Sequence, residues 1–116
     1  MERRDGVNTY ALFEGDELKI AQLIQRRRLQ LLVHSYLYYE EDMNIISDHV
    51  WNKWAVELVN LQKQYPEIAE KVIYHDQFVN WDGASGAFFT YDESTIYRAS
   101  ILLMQHQKEE KGERND

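Results

Sequence analysis

The sequence predicts an all-α fold, a small bundle of three or four helices around a long helical hairpin, and three observations predict it. Ile20, Ile24, Leu31 and Tyr38 recur at the spacing of one helix face. Val50, Trp51, Trp54, Leu58 and Leu61 repeat the pattern in a second stretch, and Ile96, Ala99 and Leu103 in a third. Ser47 and Asp92 stand where N-caps of the second and third stretches belong, and the single proline, Pro66, follows the second as a stop.

In chain order, residues 1–15 mix charges with Gly6, Gly15 and a short apolar patch at Tyr10–Phe13, and are expected to form a flexible leader. A first and longest helix is expected from Asp16 to about Glu41. Leu18, Leu29, Leu32, Tyr36 and Tyr39 give it a second apolar stripe, interrupted at Gln22 and Gln25, which implies more than one neighbour. Arg26, Arg27 and Arg28 point around most of a turn and read as solvated charge. Arg27 falls on the first stripe, where its stem can cover apolar surface while its head stays in water.

The second helix is expected over Asp48–Gln64, with Asp48 favoured at the positive end of the helix dipole. Pro66 disfavours helical geometry at Tyr65 and can itself open a third helix reaching Ile73, with Ile68, Val72 and Ile73 buried. Residues 74–91 are aromatic-rich and broken by Asp82-Gly83 and Gly86, and form either a short hairpin or a loop packed by its aromatics. The last helix follows Asp92 and runs to about Gln107. A single helical domain over residues 16–107 and a frayed charged tail over 108–116 complete the expected organisation. Ile20, Ile24, Leu31, Trp54, Leu58, Leu61, Ile96 and Leu103 are expected in one core.

Composition narrows the function classes. With 116 residues, 44% of them hydrophobic, the chain can bury one core. It has no cysteine, hence no disulfide or thiolate metal site, and its four histidines show no ligand spacing, so no metal is expected. Nothing resembles a signal peptide or a membrane span, which leads to the expectation of a cytoplasmic protein without membrane contact. A net charge of −7 and a pI near 5.0 argue against direct nucleic-acid binding, whose affinity comes from Lys and Arg neutralising phosphates. The oligomeric state is left open.

The chemistry concentrates where the first two helices join. Asp48, Trp51 and Asn52 fall at i, i+3 and i+4, which puts a carboxylate, an indole and an amide on one face beside the Tyr38-Tyr39 end of the preceding helix. Tyr38, Tyr39, Trp51, Trp54 and Trp81 can serve either a core or an aromatic pocket.

The run Tyr38-Tyr39, Asp48, Trp51-Asn52, Glu57-Leu58-Val59-Asn60-Leu61 and Tyr65-Pro66-Glu67 resembles, without a gap, the helical subdomain (Ia) at the N-terminus of bacterial NAD-dependent DNA ligases. The resemblance implies that Tyr38, Tyr39, Asp48, Trp51 and Asn52 are ligand-binding residues for the nicotinamide mononucleotide half of NAD. Two positions depart from the family: Trp51 stands for its tyrosine and Asn52 for its second aspartate. An indole still stacks on a pyridinium ring, but an amide brings no negative charge, so the implied binding is weak. Ligases attach AMP to the lysine of a Lys-x-Asp-Gly motif. Asn80-Trp81-Asp82-Gly83 has the Asp-Gly without the lysine, so the chain is not expected to be an enzyme and the Asp-Gly reads as turn chemistry.

The expected function is that of a stand-alone ligase-Ia-like module without a catalytic domain, of phage or mobile-element type. It would bind nicotinamide mononucleotide or NAD weakly, or dock on a nucleotidyltransferase. The alternative is a small acidic interaction protein, an inhibitor or accessory factor of a host or phage protein, with no small-molecule ligand.

Overall fold

Helix α1, Gly15–Glu40, is the element on which the others pack. The structure, a computed structural model, describes residues 12–114 and there contains α1, α2 (Asp48–Gln64), α3 (Pro66–Glu70), α4 (His75–Phe78) and α5 (Glu93–Arg114). No strand occurs among the described residues, so the chain is all-α. The helices number five there because residues 74–91 contain the one-turn α4. Of the two alternatives for that segment, the loop packed by its aromatics is the one formed. α1 packs on both α2 and α5, as its two stripes imply, and α3 touches α1 and α2.

Each boundary has a local cause. At the end of α1 the Leu37 carbonyl accepts from the Glu41 N–H at 3.2 Å and the Met43 N–H at 2.8 Å, while Asp42 turns left-handed at φ 55° and reverses the chain. Ser47 Oγ accepts from the Val50 N–H at 3.2 Å, capping α2 as expected. Tyr65 closes α2 and opens α3, with Pro66 in the first turn. α3 stops at Glu70 rather than Ile73. Asp92 Oδ1 accepts from the Thr95 N–H at 2.8 Å and so caps α5. Burial alone would raise the Asp92 carboxyl, but bonds from Thr95 and Tyr74 outweigh it and hold its pKa below the usual value.

Of the leader expected over residues 1–15, residues 1–11 lie outside the described residues, and Phe13 is buried in the core. α5 continues past Gln107 to Arg114, so residues 108–114 are helical. Its buried side is Thr95 and Ala99 with Leu102 and Leu103 beside them, whereas Ile101 and Met104 face outward. Among the described residues no helix is long and apolar enough to cross a membrane.

The expectation of one core is corrected to two clusters. Ile24, Leu31 and Leu58 are buried together, with Ile20, Trp54 and Leu61 packed at their edge. Leu103 belongs instead to a smaller cluster with Val33, Leu37 and Ala99 between α1 and α5. Ile96 is half-buried and belongs to neither. The solvated reading of the arginine run is also corrected, because Arg28 is fully buried. Its Nε donates to Gln62 Oε1 at 2.9 Å, and its terminal nitrogens donate to the carbonyls of Val72, Ile73 and Ala69 at 2.9, 3.1 and 3.1 Å. The guanidinium therefore ties together the carbonyls at the end of α3 and in the turn that follows it. Burial pushes its pKa down to about 10, still well above neutral, so the charge is carried into the interior. Arg27 is held more firmly than a solvated head: its Nε pairs with Glu57 at 2.8 Å and its guanidinium lies 5.9 Å from the Trp54 ring.

Candidate functional site

The end of α1, the connection 43–47, the first turn of α2 and the segment 84–86 enclose a half-open cavity of about 260 Å³. Tyr38, Tyr39, Asp48, Trp51 and Asn52 all line it. The reversal at Asp42 is what makes this possible, since it lays the cap of α2 against the last turn of α1. Tyr38 and Tyr39 meet edge to face at 4.9 Å and are 52% and 47% exposed, so these rings are presented at the surface rather than spent in the core. Trp51 is half-buried, and the Trp81 ring stands edge-on to it at 5.9 Å. Trp81 therefore supports the site without lining it, and Trp54 packs on the core with its ring 5.6 Å from His34.

The sequence reading missed several lining residues. His34 and Ser35 precede Tyr38 and Tyr39 by one helical turn and share their face, a relation that i, i+4 spacing could have revealed. Ala84, Ser85 and Gly86 come from the aromatic segment and had no comparable pattern. They are held by three bonds: Trp81 Nε1 donates to the Ser85 carbonyl at 2.9 Å, the Ala87 N–H to Ser85 Oγ at 3.0 Å and the Ala84 N–H to Asp82 Oδ1 at 2.9 Å. The Asp82-Gly83 pair thus makes a turn, with Gly83 at φ 85°. Tyr39 Oη and Ser85 Oγ lie 3.4 Å apart across the mouth.

Gly86 is required by close approach. A Cβ there would run into Ser35 Oγ and would lie 3.0 Å from Ser35 Cβ and 3.2 Å from the Phe89 ring. Gly86→Ala is expected to destabilise the fold by about 1–3 kcal/mol through overpacking, and Ser35→Ala in the same chain to recover part of the loss. Denaturant midpoints of the single and double variants measure both effects, and a neutral Gly86→Ala would show that the 84–86 wall does not sit against α1.

The electrostatics of the cavity are one-sided. Burial lowers the His34 pKa to about 4, so the imidazole is neutral at pH 7 and Asp48 supplies the charge. A folded pKa below the unfolded value of about 6.5 means that the unfolded chain binds the proton first. Stability contributed by neutral His34 is therefore complete above pH 6.5 and lost as pH falls towards 4. The loss is expected to be about 2 kcal/mol after allowance for solvent screening. Comparing pH-dependent unfolding of the native chain with His34→Gln isolates it, and identical slopes between pH 6.5 and 4 would refute the assignment. Ser35 Oγ is buried without a hydrogen-bond partner beside this cavity. Among the described residues no group of three or more His, Asp or Glu is placed to hold a metal ion.

Fold and cavity together define a helical-hairpin module whose candidate binding site lies at the joint of the hairpin. Residues 17–71 match the family described as DNA ligase-like, N-terminal NAD+-binding domain, and the chain resembles the Ia subdomain of these ligases. The matched region contains Tyr38, Tyr39, Asp48, Trp51 and Asn52, whereas the 84–86 wall lies beyond it. No curated protein and no solved structure matched.

Proposed function

We propose that the chain is a nicotinamide-nucleotide-binding module of the ligase Ia type and not itself a ligase. The observation that carries this reading is the convergence on one cavity of the two tyrosines, the indole, the carboxylate and the amide that the family pattern singles out. A pyridinium ring against Trp51 gains cation–π attraction of about 0.5–2 kcal/mol, with Asp48 near enough to favour its charge. The 116 residues contain no Lys-x-Asp-Gly, so they offer no lysine of that motif to accept AMP.

The test is fluorescence titration with nicotinamide mononucleotide. Saturable quenching with a Kd of about 0.1–1 mM is expected, weakened several-fold in Trp51→Ala and strengthened up to about fivefold in Asn52→Asp, which restores a carboxylate. No saturable response in the native chain or in Asn52→Asp would sink the reading. In that case the second reading, an acidic interaction protein bound to a host protein, gains ground. It has its own observation: Tyr97, Ile101 and Met104 form an exposed stripe on α5, away from the cavity.

A further inference from the structure

We propose that α5 carries a self-association face, through which two copies of the chain pair with their α5 helices antiparallel. The inference stands apart from the nicotinamide reading, because no residue lining the cavity belongs to α5 and the family match ends before it.

The two faces of α5 carry the argument. Thr95, Ala99, Leu102 and Leu103 turn inward, and His106 continues their side, where its Nε2 meets Glu110 at 3.4 Å. The opposite side presents Glu93, Tyr97, Ile101, Met104, Lys108 and Lys111, spaced by four, four, three, four and three residues, which keeps them on one stripe. All six are exposed, Tyr97 by 68% and Met104 by 63%. Arg98 and Glu109 stand off this line, about 100° or more round the helix. A helix that packs on a single neighbour needs no apolar residues on its far side.

The order of chemistry along the stripe selects the occupant. It runs from a carboxylate through three apolar side chains to two ammonium groups, so a two-fold axis between Ile101 and Met104 maps the stripe onto its own complement. Ile101 then meets Met104 of the second copy, Lys108 reaches the face of its Tyr97 ring and Lys111 reaches its Glu93. Parallel pairing instead sets Lys108, Lys111 and Glu93 each against its own copy and aligns the two helix dipoles. The charges therefore favour the antiparallel pair. Six residues a side fall well short of the roughly 20–30 of a standard interface, so the association is weak.

Sedimentation equilibrium of the full chain up to about 1 mM tests this. The mass is expected to rise from the 13.9 kDa of the monomer towards twice that value, with a Kd on the order of 100 µM. Met104→Glu and Lys108→Glu, both at exposed positions, should each weaken the pair by about tenfold or more. Because the chain has no cysteine, orientation can be read by mixing Ser94→Cys and Lys111→Cys chains under mild oxidation. In the antiparallel pair these two positions share a layer, whereas each lies about 25 Å along the axis from its own copy, so the mixed disulfide should dominate. A native chain that stays monomeric at that concentration returns the stripe to the host-protein reading and overturns the inference. Either charge variant associating like the native chain, or homodisulfides exceeding the mixed product, overturns it as well, and none of these results bears on nicotinamide binding.

Discussion

Replacing Arg28 with alanine is expected to lower the unfolding free energy by about 3–5 kcal/mol, the range for removing one partner from a buried charged network. The guanidinium makes four hydrogen bonds, three of them to the backbone carbonyls of Ala69, Val72 and Ile73, of which Ala69 also accepts from the Val72 N–H. Truncation leaves buried acceptors unsatisfied, at about 1–3 kcal/mol each before any relaxation, and opens the space the side chain filled. Arg28→Lys should recover less than half of the loss, because an ammonium cannot reproduce the planar fork that reaches Gln62 and α3 together. Urea midpoints measure the series. A loss below about 1 kcal/mol for the alanine variant would mean that water replaces the guanidinium at the end of α3.

Phe78→Ala is expected to cost a similar amount, about 3–5 kcal/mol, and to act on the cavity as well. Phe78 is fully buried, 5.2 Å from the Trp81 ring and 4.8 Å from Phe89. Trp81 in turn holds the Ser85 carbonyl and stands edge-on to Trp51, so this ring cluster fixes both the 84–86 wall and the stacking indole. The variant should therefore lose ligand-induced quenching even where it remains folded, whereas Phe78→Leu should keep more of both. Folded Phe78→Ala with unchanged quenching would show that the wall stands without its support. Because the Arg28 guanidinium lies 5.7 Å from the Phe78 ring, the two alanine variants are expected to be non-additive by at least about 0.5 kcal/mol.

The helices were legible in the sequence wherever periodicity and capping agreed. Ser47, Asp92 and Pro66 mark real boundaries because each acts through its own backbone or side chain on its immediate neighbours. The buried face of α1 was read in phase at Ile24 and Leu31 but incompletely. The line Ala21, Ile24, Arg28, Leu31 and Ser35, buried beside Leu32, Val33 and Leu37, contains an arginine and a serine, and a search for apolar residues passes over both. Arg28 is buried because the end of α3 and the turn after it bring three carbonyls within its reach, a fact supplied by residues 69–73 and invisible at residue 28. α3 itself is shorter than its apolar pattern because the chain tightens and then reverses: the Lys71 and Val72 N–H groups bond the carbonyls of Ile68 and Ala69 only three residues back, and Tyr74 turns left-handed at φ 73°.

At the candidate site the division follows distance along the chain. Tyr38, Tyr39, Asp48, Trp51 and Asn52 lie within one helical hairpin, so spacing alone could gather them. Ser85 and Gly86 reach the same cavity by tertiary packing of aromatics whose order in the sequence carries no period.

That separation has a kinetic side. Tyr39 and Ser85, which face each other across the mouth, are 46 residues apart, while Arg27 and Glu57 on the hairpin are 30 apart and joined through a short connection. Closing the larger loop costs more chain entropy and is rewarded only when Phe78, Trp81 and Phe89 have packed. The hairpin is thus able to assemble first and the third wall last, and the same wall is the natural place for a partial opening of the native state. Ligand affinity would then scale with the fraction of molecules whose wall is shut, and not with the fraction that is folded.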